Sequence, residues 1–370
     1  MSKAADLART ASASETALSN RNLIINGAMQ IAQRSASVTG ITGNGYHTLD
    51  RWRTAVNAMG TWTQTQSTDV PTGAGFATSL KMDCTTADGS PAATDQVQVQ
   101  LRFEGENLQQ FKYGTSSAES ITLSFWVKAT KTGLNVVSLY QDDGAKQISG
   151  AYTIGTSNTW EYKTITFVGN TVNAIVNNTT RGIQCGWYLG AGSNRTSGTL
   201  RTTWTAYATA DESPGQVNHG DSTSNDWLIT GVQLEVGTVA TPFEHRSFGQ
   251  ELSLCQRYYE KSYDQGDVPG TNTHYGAVKI GGNRETMTSS YLSGGGNTFK
   301  VTKRARPTVV VYDPDGGTTN QCQRWTLGVG NYNNQASVSA DISETNFLQY
   351  SATGNSASGV IYHYTADAEL

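Results

Sequence analysis

Residues 95–103 read Asp-Gln-Val-Gln-Val-Gln-Leu-Arg-Phe, a stretch in which apolar and polar side chains alternate strictly. Successive side chains of a β-strand point to opposite faces, so the four apolar side chains share one face and the glutamines share the other. One buried face and one polar face are typical of an antiparallel sheet that covers a core on one side. The stretch therefore predicts a half-buried strand.

The same alternation recurs through residues 21–250, between turns rich in Gly, Asn, Ser and Thr. It is found in residues 121–128, 160–167, 200–206 and 232–236. Turn signals at roughly 8–12-residue intervals favour a sandwich or a jelly roll. Residues 265–370 return to a β pattern, and residues 360–365 are predicted to form a closing strand buried on both faces. We therefore expect an all-β chain, a jelly-roll β-sandwich followed by a second, smaller β-sandwich domain.

Composition excludes several classes of protein. Only 15% of the 370 residues are charged, the net charge is −4, and no run of Lys and Arg suggests nucleic-acid binding. Lys303, Arg304 and Arg306 are interpreted as solvated residues beside a strand. No segment approaches the roughly 20 apolar residues of a membrane span, and the start lacks the apolar core of a signal peptide, so we expect synthesis in a cytoplasm. The four widely spaced cysteines predict buried thiols.

Two segments break the β pattern. In residues 1–20, Leu7, Ala11 and Leu18 lie on one helical face, which predicts a short N-terminal helical anchor, with a frayed tail as the alternative. Residues 251–262 have helical spacing and are interpreted as an elbow. The predicted order is an anchoring segment 1–20, a jelly roll 21–250, the elbow 251–262 and a C-terminal β-domain 263–370.

Catalytic motifs are nearly absent from the sequence. His219-Gly220-Asp221-Ser222 resembles part of a hydrolase block but has no later Asp-x-x-His partner, so a turn is the better interpretation. The neighbouring acids Glu104 and Glu106, and Asp142 and Asp143, are interpreted as solvated residues at strand ends and turns. The five histidines are scattered, which argues against a transition-metal site. We expect a protein that is not an enzyme.

Aromatic side chains offer the remaining indication of function, because flat rings pack against the C–H faces of sugars. Trp52, Trp126 and Trp160 are interpreted as core residues. The aromatic residues proposed to bind glycans are Tyr46, Trp62, Trp187, Tyr188, Trp325, Tyr332 and Tyr350.

Four blocks of sequence resemble strands of jelly-roll carbohydrate-binding modules: residues 22–30, 124–129, 160–167 and 229–235. A resemblance over nearly the whole chain after residue 20 is to tail-fibre and receptor-binding proteins of tailed bacteriophages. The residues that support it are 22–30, 46–52, 233–244, 255–259 and 364–370.

The resemblance implies a non-enzymatic virion protein of the tail, usually a homotrimer, that attaches to other tail proteins by its N-terminus and binds a host-surface glycan. The alternatives are a structural decoration, collar or baseplate protein with protein contacts only, and a glycan depolymerase. No cofactor is expected. The family's structural Ca²⁺ is doubtful here, because Gln30 stands where those modules have Glu and Thr230-Gly231 where they have Asp.

Overall fold

The computed structural model describes residues 20–281, 291–326, 330–352 and 359–370, with the side chains of 291–295, 326, 330–334 and 352 excluded. The chain forms two compact units. The first unit contains the described residues up to Gln30 together with Ser37–Ser247, and the second contains Ile31–Ala36 together with Phe248–Leu370.

The first unit is a jelly-roll β-sandwich. Its described strands are β1 (Ser37–Ile41), β2 (Gly45–Tyr46), β3 (Arg53–Asn57), β4 (Thr61–Ser67), β5 (Ser79–Thr86), β6 (Gln96–Glu104), β7 (Ile121–Ala129), β8 (Gly133–Gln141), β9 (Lys146–Ile154), β10 (Glu161–Phe167), β11 (Arg181–Ala191), β12 (Thr205–Ala206) and β13 (Asp226–Val236). They form two antiparallel sheets. Sheet A has the order β1-β4-β5-β13-β7-β10, and sheet B has the order β12-β9-β8-β11-β6-β3-β2.

The core of the first unit lies between these sheets. Phe125 of sheet A contacts Trp187 of sheet B edge-on, with 5.9 Å between ring centroids, and Trp187 also lies 5.6 Å from Trp52. All three rings are fully buried, which confirms the prediction for Trp52. Burial of one such side chain contributes about 1.5–3 kcal/mol.

The core prediction is wrong for Trp126 and Trp160. Because Phe125 and Val127 of β7 point into the core, Trp126 points away from it and is half-buried on the outer face of sheet A. Trp160 precedes β10, and its indole N–H donates to Asp69 Oδ1 at 2.9 Å.

Residues 105–111 form a 3₁₀ helix and Ser193–Thr196 a single helical turn, α1. The predicted strand over 200–206 is reduced to β12, which contains two residues. Arg201 donates from Nε to Asp211 Oδ2 at 2.7 Å, and the N–H of Thr199 donates to Asp211 Oδ1 at 2.7 Å. These side-chain contacts hold the stretch before β12, together with the hydrogen bond from the N–H of Ser149 in β9 to Arg201 O at 2.6 Å.

The second unit is built around its last strand. It contains helix α2 (Phe248–Gln256) and the strands β14 (Tyr259–Lys261), β15 (Val278–Gly281), β16 (Tyr291–Thr298), β17 (Thr308–Tyr312), β18 (Gln321–Thr326), β19 (Gly330–Ala340), β20 (Asn346–Ala352) and β21 (Gly359–Asp367). β21 pairs with β14, β15, β17 and β18. Eight of its nine residues are buried, which confirms a closing strand covered on both faces.

Two interpretations of this part of the sequence are corrected. Residues 251–262 are not a separate elbow, because β14 follows α2 and pairs with β21 as part of the second unit's sheet. Lys303 is not solvated: its ammonium group lies 2.5 Å from Glu260 Oε2, and both side chains are fully buried. The hydroxyl of Tyr364 donates to the other oxygen of Glu260 at 2.7 Å, so this buried carboxylate has partners on both sides.

The four cysteines Cys84, Cys185, Cys255 and Cys322 are free and buried, as the sequence predicts. Within the described ranges, no helix has the length and apolar character needed to cross a membrane.

Candidate functional site

The outer face of sheet B is polar because of the alternation in β6. Val97, Val99 and Leu101 point into the core, which places the intervening glutamines and Arg102 on the other face. Gln98 Nε2 donates to Gln96 Oε1 at 2.9 Å, and Gln100 Nε2 donates to Gln98 Oε1 at 2.7 Å. The ladder orients each amide, and Gln98 and Gln100 are themselves buried beneath their neighbours on this face.

Strand register extends this surface across the sheet. Tyr46 pairs with Arg53, Arg53 with Gln100, Gln100 with Gly186, and Gly186 with Ser138, so these residues share one face in a single row. Arg53 Nη1 donates to Gln100 Oε1 at 2.8 Å. The centre of the row has no large side chain. A Cβ atom at Gly186 would lie 2.9 Å from Gln98 Oε1, so glycine at this position preserves the ladder.

A second row runs beside the first. Arg102 pairs with Gln184, and Gln184 pairs with Tyr140. The Tyr140 ring meets Tyr207 edge-on with 5.1 Å between centroids, and Tyr207 is 39% exposed. We call these two rows with their flanking side chains the platform: Tyr46, Arg53, Gln100, Arg102, Ser138, Tyr140, Arg181, Gln184, Gly186 and Tyr207.

The platform is positively charged within a chain of net charge −4. Asp142 is the carboxylate paired with one of its three guanidinium groups: Arg181 donates to both Asp142 oxygens at 2.6 Å. Burial, with the nearby charges of Arg53 and Arg181, lowers the pKa of Arg102 to about 10. Burial likewise lowers the pKa of Arg53, and the Arg181 charge adds to that effect. An anion that binds here would relieve this repulsion.

Tyrosine rings lie at both sides of the platform. Tyr46 is half-buried at the β2 side, and Tyr140 and Tyr207 lie at the β8 and β9 side. The Arg181 guanidinium stands 5.6 Å from the centroid of the Tyr140 ring, a cation–π geometry. Ring faces, amides and guanidinium groups together suit a ligand with C–H faces, hydroxyl groups and negative charge.

The acids and the histidine considered at the sequence level have structural contacts or are buried, and the interpretation of Glu104 as solvated is wrong because its side chain is fully buried. Asp142 is bound by Arg181, and Asp143 accepts the N–H of Val176 at 2.9 Å. His219 is fully buried, and Asp221 forms an ion pair with Lys131, so the His219–Ser222 segment is held by structural contacts.

Three of the predicted glycan-binding residues are wrong, because they offer no exposed ring. Trp62 and Trp187 are fully buried, and the Trp62 indole N–H donates to Met59 O at 2.8 Å. Tyr188 faces the outer side of sheet B but is 1% exposed, next to Arg195 and Glu212. Of the first unit's candidates, the structure places Tyr46 on the platform.

The remaining candidates lie elsewhere. Trp325 in β18 is half-buried, with the Lys279 ammonium group 4.7 Å from its ring centroid. The Tyr350 hydroxyl donates to Asp341 Oδ2 at 3.2 Å in the second unit. The side chain of Tyr332 and the anchoring residues Leu7, Ala11 and Leu18 lie outside the described residues.

Sequence reasoning missed the arginines and glutamines of the platform. The alternation of residues 95–103 already places Gln98, Gln100 and Arg102 on the face opposite the core, so a signal for two of the ten platform residues was present. The contributions of Arg53, Gln184 and Tyr140 depend on register between strands distant in the sequence.

The residues do not fit the calcium site that the module resemblance implies. Gln66 Nε2 donates to Met29 O at 2.8 Å and to Gln30 O at 3.1 Å, and the Thr78 hydroxyl donates to Met29 O at 2.6 Å. Thr230 donates in turn to Thr78 O at 2.7 Å. Neutral donors thus satisfy these carbonyl groups, and the described part of the chain contains no cluster of His, Cys, Asp or Glu able to hold a metal ion.

No protein-family model matches the sequence, and no curated protein matches it. Among solved structures, the chain is similar to the enzymatically active domain of bacteriophage CBA120 tailspike protein 4, with 14% identity over 58% of this chain and 21% of that chain, at a TM-score of 0.30. It is also similar to TmCBM61 in complex with β-1,4-galactotriose, with 10% identity, 59% and 99% coverage and a TM-score of 0.29. A third is the CBM22-1 xylan-binding domain of Paenibacillus barcinonensis Xyn10C, with 10% identity, 56% and 99% coverage and a TM-score of 0.26. At these scores the matches do not assign a function.

Proposed function

We propose that this chain is a glycan-binding protein of a phage tail whose platform binds an acidic host-surface glycan without cleaving it. The observation that supports the proposal best is the row from Tyr46 through Arg53 and Gln100 to Gly186. It places a ring, a guanidinium group and an oriented amide side by side on one face of the sheet. A sugar carrying a carboxylate or phosphate group complements each of these features.

The acidic character of the ligand follows from charge. Three guanidinium groups, those of Arg53, Arg102 and Arg181, belong to the platform, and Arg102 is protonated against the opposition of burial and of two like charges. An anionic group at the platform would form charge-assisted hydrogen bonds, each contributing about 1.5–3 kcal/mol.

Binding without cleavage is proposed because glycoside hydrolysis uses a pair of carboxyl groups on either side of the scissile bond. Asp142, the carboxylate beside the platform, accepts hydrogen bonds from Nε and Nη2 of Arg181. Attachment through residues 1–20 to other tail proteins, and assembly as a homotrimer, belong to the same proposal. A trimer would combine weak sites into avid binding.

A panel of acidic and neutral bacterial surface oligosaccharides, titrated into the full chain by calorimetry, tests the function. We expect acidic members to bind, and their affinity to fall as salt concentration rises. Arg102→Gln and Tyr46→Ala are each expected to weaken this binding about tenfold, equivalent to about 1.4 kcal/mol. New reducing ends in the mixture would instead indicate a depolymerase.

The matched control is Arg306→Gln, which removes an equal charge at an exposed position in the second unit. Its affinity for acidic oligosaccharides is expected to remain that of the unchanged chain. Absence of binding to every acidic glycan, or an equal loss in Arg306→Gln, would contradict the platform proposal and favour a structural virion part.

Imaging of labelled virions would locate the protein on the tail, collar or head.

A further inference from the structure

The outer face of sheet A holds a second group of aromatic side chains. Trp126 of β7 lies directly opposite Tyr162 of β10, and their ring centroids are 5.3 Å apart. Tyr162 is 45% exposed. The other outward positions of these strands are polar: Thr122, Ser124, Lys128, Thr164 and Thr166. This ring pair therefore lies outside the sandwich core.

Three further rings form a wall beside the pair. Phe76 contacts Phe243 at 5.0 Å and His245 at 5.4 Å between ring centroids, and Phe243 lies 4.8 Å from His245. Phe76 can approach the sheet because Gly231 has no side chain: a Cβ atom there would lie 2.5 Å from the Phe76 ring. Together the wall and the pair line an open pocket of about 550 Å³, which Ser124 and Pro242 also line.

We propose that this pocket, which we call the aromatic pocket, is a second ligand site that binds a neutral pyranose ring. Its volume lies within the roughly 300–1,000 Å³ of small-molecule sites, and such sites are apolar with a few polar groups. Ring faces of Trp126 and Tyr162 suit the C–H face of a sugar. Among the described residues, the ring nitrogens of His245 have no hydrogen-bond partner, so the imidazole can bond to a hydroxyl group.

Charge distinguishes this ligand from the one proposed for the platform. Lys128, which shares the outward face of β7 with Trp126, lies 2.6 Å from Asp69, so its ammonium group is paired. Among the described residues, the side chains that line the pocket include none from Asp, Glu, Lys or Arg. The aromatic pocket thus favours an uncharged ring, whereas the platform favours an acidic one.

Saturation-transfer NMR on the full chain tests the proposal with three neutral probes, the methyl glycosides of glucose, galactose and N-acetylglucosamine. We expect at least one probe to bind through its C–H face. Tyr162→Ala and Trp126→Ala are each expected to weaken that binding about tenfold, while binding of the acidic oligosaccharides at the platform stays unchanged. Tyr275→Ala is the matched control, because Tyr275 is 76% exposed in the second unit.

Three results would overturn the inference. The first is that none of the neutral probes binds. The second is that Tyr46→Ala on the platform abolishes probe binding as completely as Tyr162→Ala, since one site would then account for both ligands. The third is that Tyr162→Ala changes the sedimentation coefficient of the assembled protein, which would indicate that a second copy of the chain covers these rings.

Discussion

His219 is a buried residue whose surroundings keep it neutral. Its Nε2 lies 2.7 Å from Asn135 Oδ1, and since the Asn135 amide nitrogen donates to Gly133 O, Oδ1 is the acceptor and Nε2 holds the proton. Burial, with the nearby Lys131 charge, lowers the pKa of His219 to about 4. A protonated imidazole at this place would be a buried charge that Asp221 and Asp226 offset only in part.

Acid is therefore expected to destabilise the chain through this one residue. The unfolded chain binds the proton near pH 6.5, whereas the folded chain binds it only near pH 4. The stabilisation is complete above pH 6.5 and falls by up to about 3 kcal/mol as the pH drops towards 4. Urea unfolding at about pH 7 and about pH 4.5 is expected to show a smaller acid loss in His219→Gln than in the unchanged chain. His274→Gln, an exposed histidine beside Asp315, is the comparison, and an equal effect in both variants would contradict this account.

At the scale of the element, the bulge of β13 determines what can lie on sheet A. The pairing of β13 with β7 shifts between Thr230 and Gln233, and Gly231 has a φ of +61° there. A side chain is disfavoured both by this left-handed conformation and by the Phe76 ring. The bulge thus supports the wall of the aromatic pocket.

A pair of glycine variants separates the two effects. Gly40 has a similar φ of +71°, but no atom lies within 4 Å of the place where its Cβ would stand, so Gly40→Ala is expected to cost about 1–2 kcal/mol from backbone strain alone. Gly231→Ala is expected to cost about 1–3 kcal/mol more, because the Phe76 ring must move. Chemical denaturation measures both. Equal losses would show that Phe76 does not constrain this position.

The strands were the most predictable elements, for a local reason. In β6 and β7 the identity of each face follows from alternation alone, and both strands form where the sequence predicts them. Register is not local: Tyr46 meets Arg53 and Gln100 only after strands distant in sequence pair. The platform could therefore be predicted as a polar face but not as a set of neighbours.

The errors at the site have a related cause. A Trp or Tyr in a strand points inward or outward according to its place in the alternation of side chains. In β7 this alternation already indicated that Trp126 points outward, because Phe125 and Val127 point inward. For Tyr188 the alternation is insufficient, because this ring faces outward yet is covered beside Arg195 and Glu212. Burial by a segment that crosses the sheet cannot be deduced from alternation.

At the scale of the whole molecule, each unit has its own core. In the second unit Phe347 is fully buried, stacks on Phe299 at 5.6 Å and meets Tyr364 edge-on at 5.0 Å. Its partners come from β17, β18 and β21 as well as from the segment before β17. Units with separate cores are expected to unfold as separate cooperative transitions.

Phe347→Ala is accordingly expected to destabilise the second unit by about 3–5 kcal/mol and leave the first unit's transition in place. Calorimetry would show one of two transitions at a lower temperature. Platform binding of acidic oligosaccharides, measured below that transition, is expected to persist. A uniform shift of all unfolding would contradict the independence of the two cores.

Ile31–Ala36 belongs to the second unit although the chain on either side of it belongs to the first. Gln33 Nε2 donates to Tyr259 O at 2.7 Å, and the Arg34 guanidinium lies 3.7 Å from the centroid of the Tyr259 ring and 3.0 Å from Asp367. On the ribosome Gln33 and Arg34 emerge more than 200 residues before their partners Tyr259 and Asp367. These contacts can therefore form only when the C-terminal part of the chain has been synthesised. A premature stop codon after Ser247 would therefore leave the side chains of Ile31–Ala36 without the strands that cover them. Any gene truncation designed to separate the two units must take this segment into account.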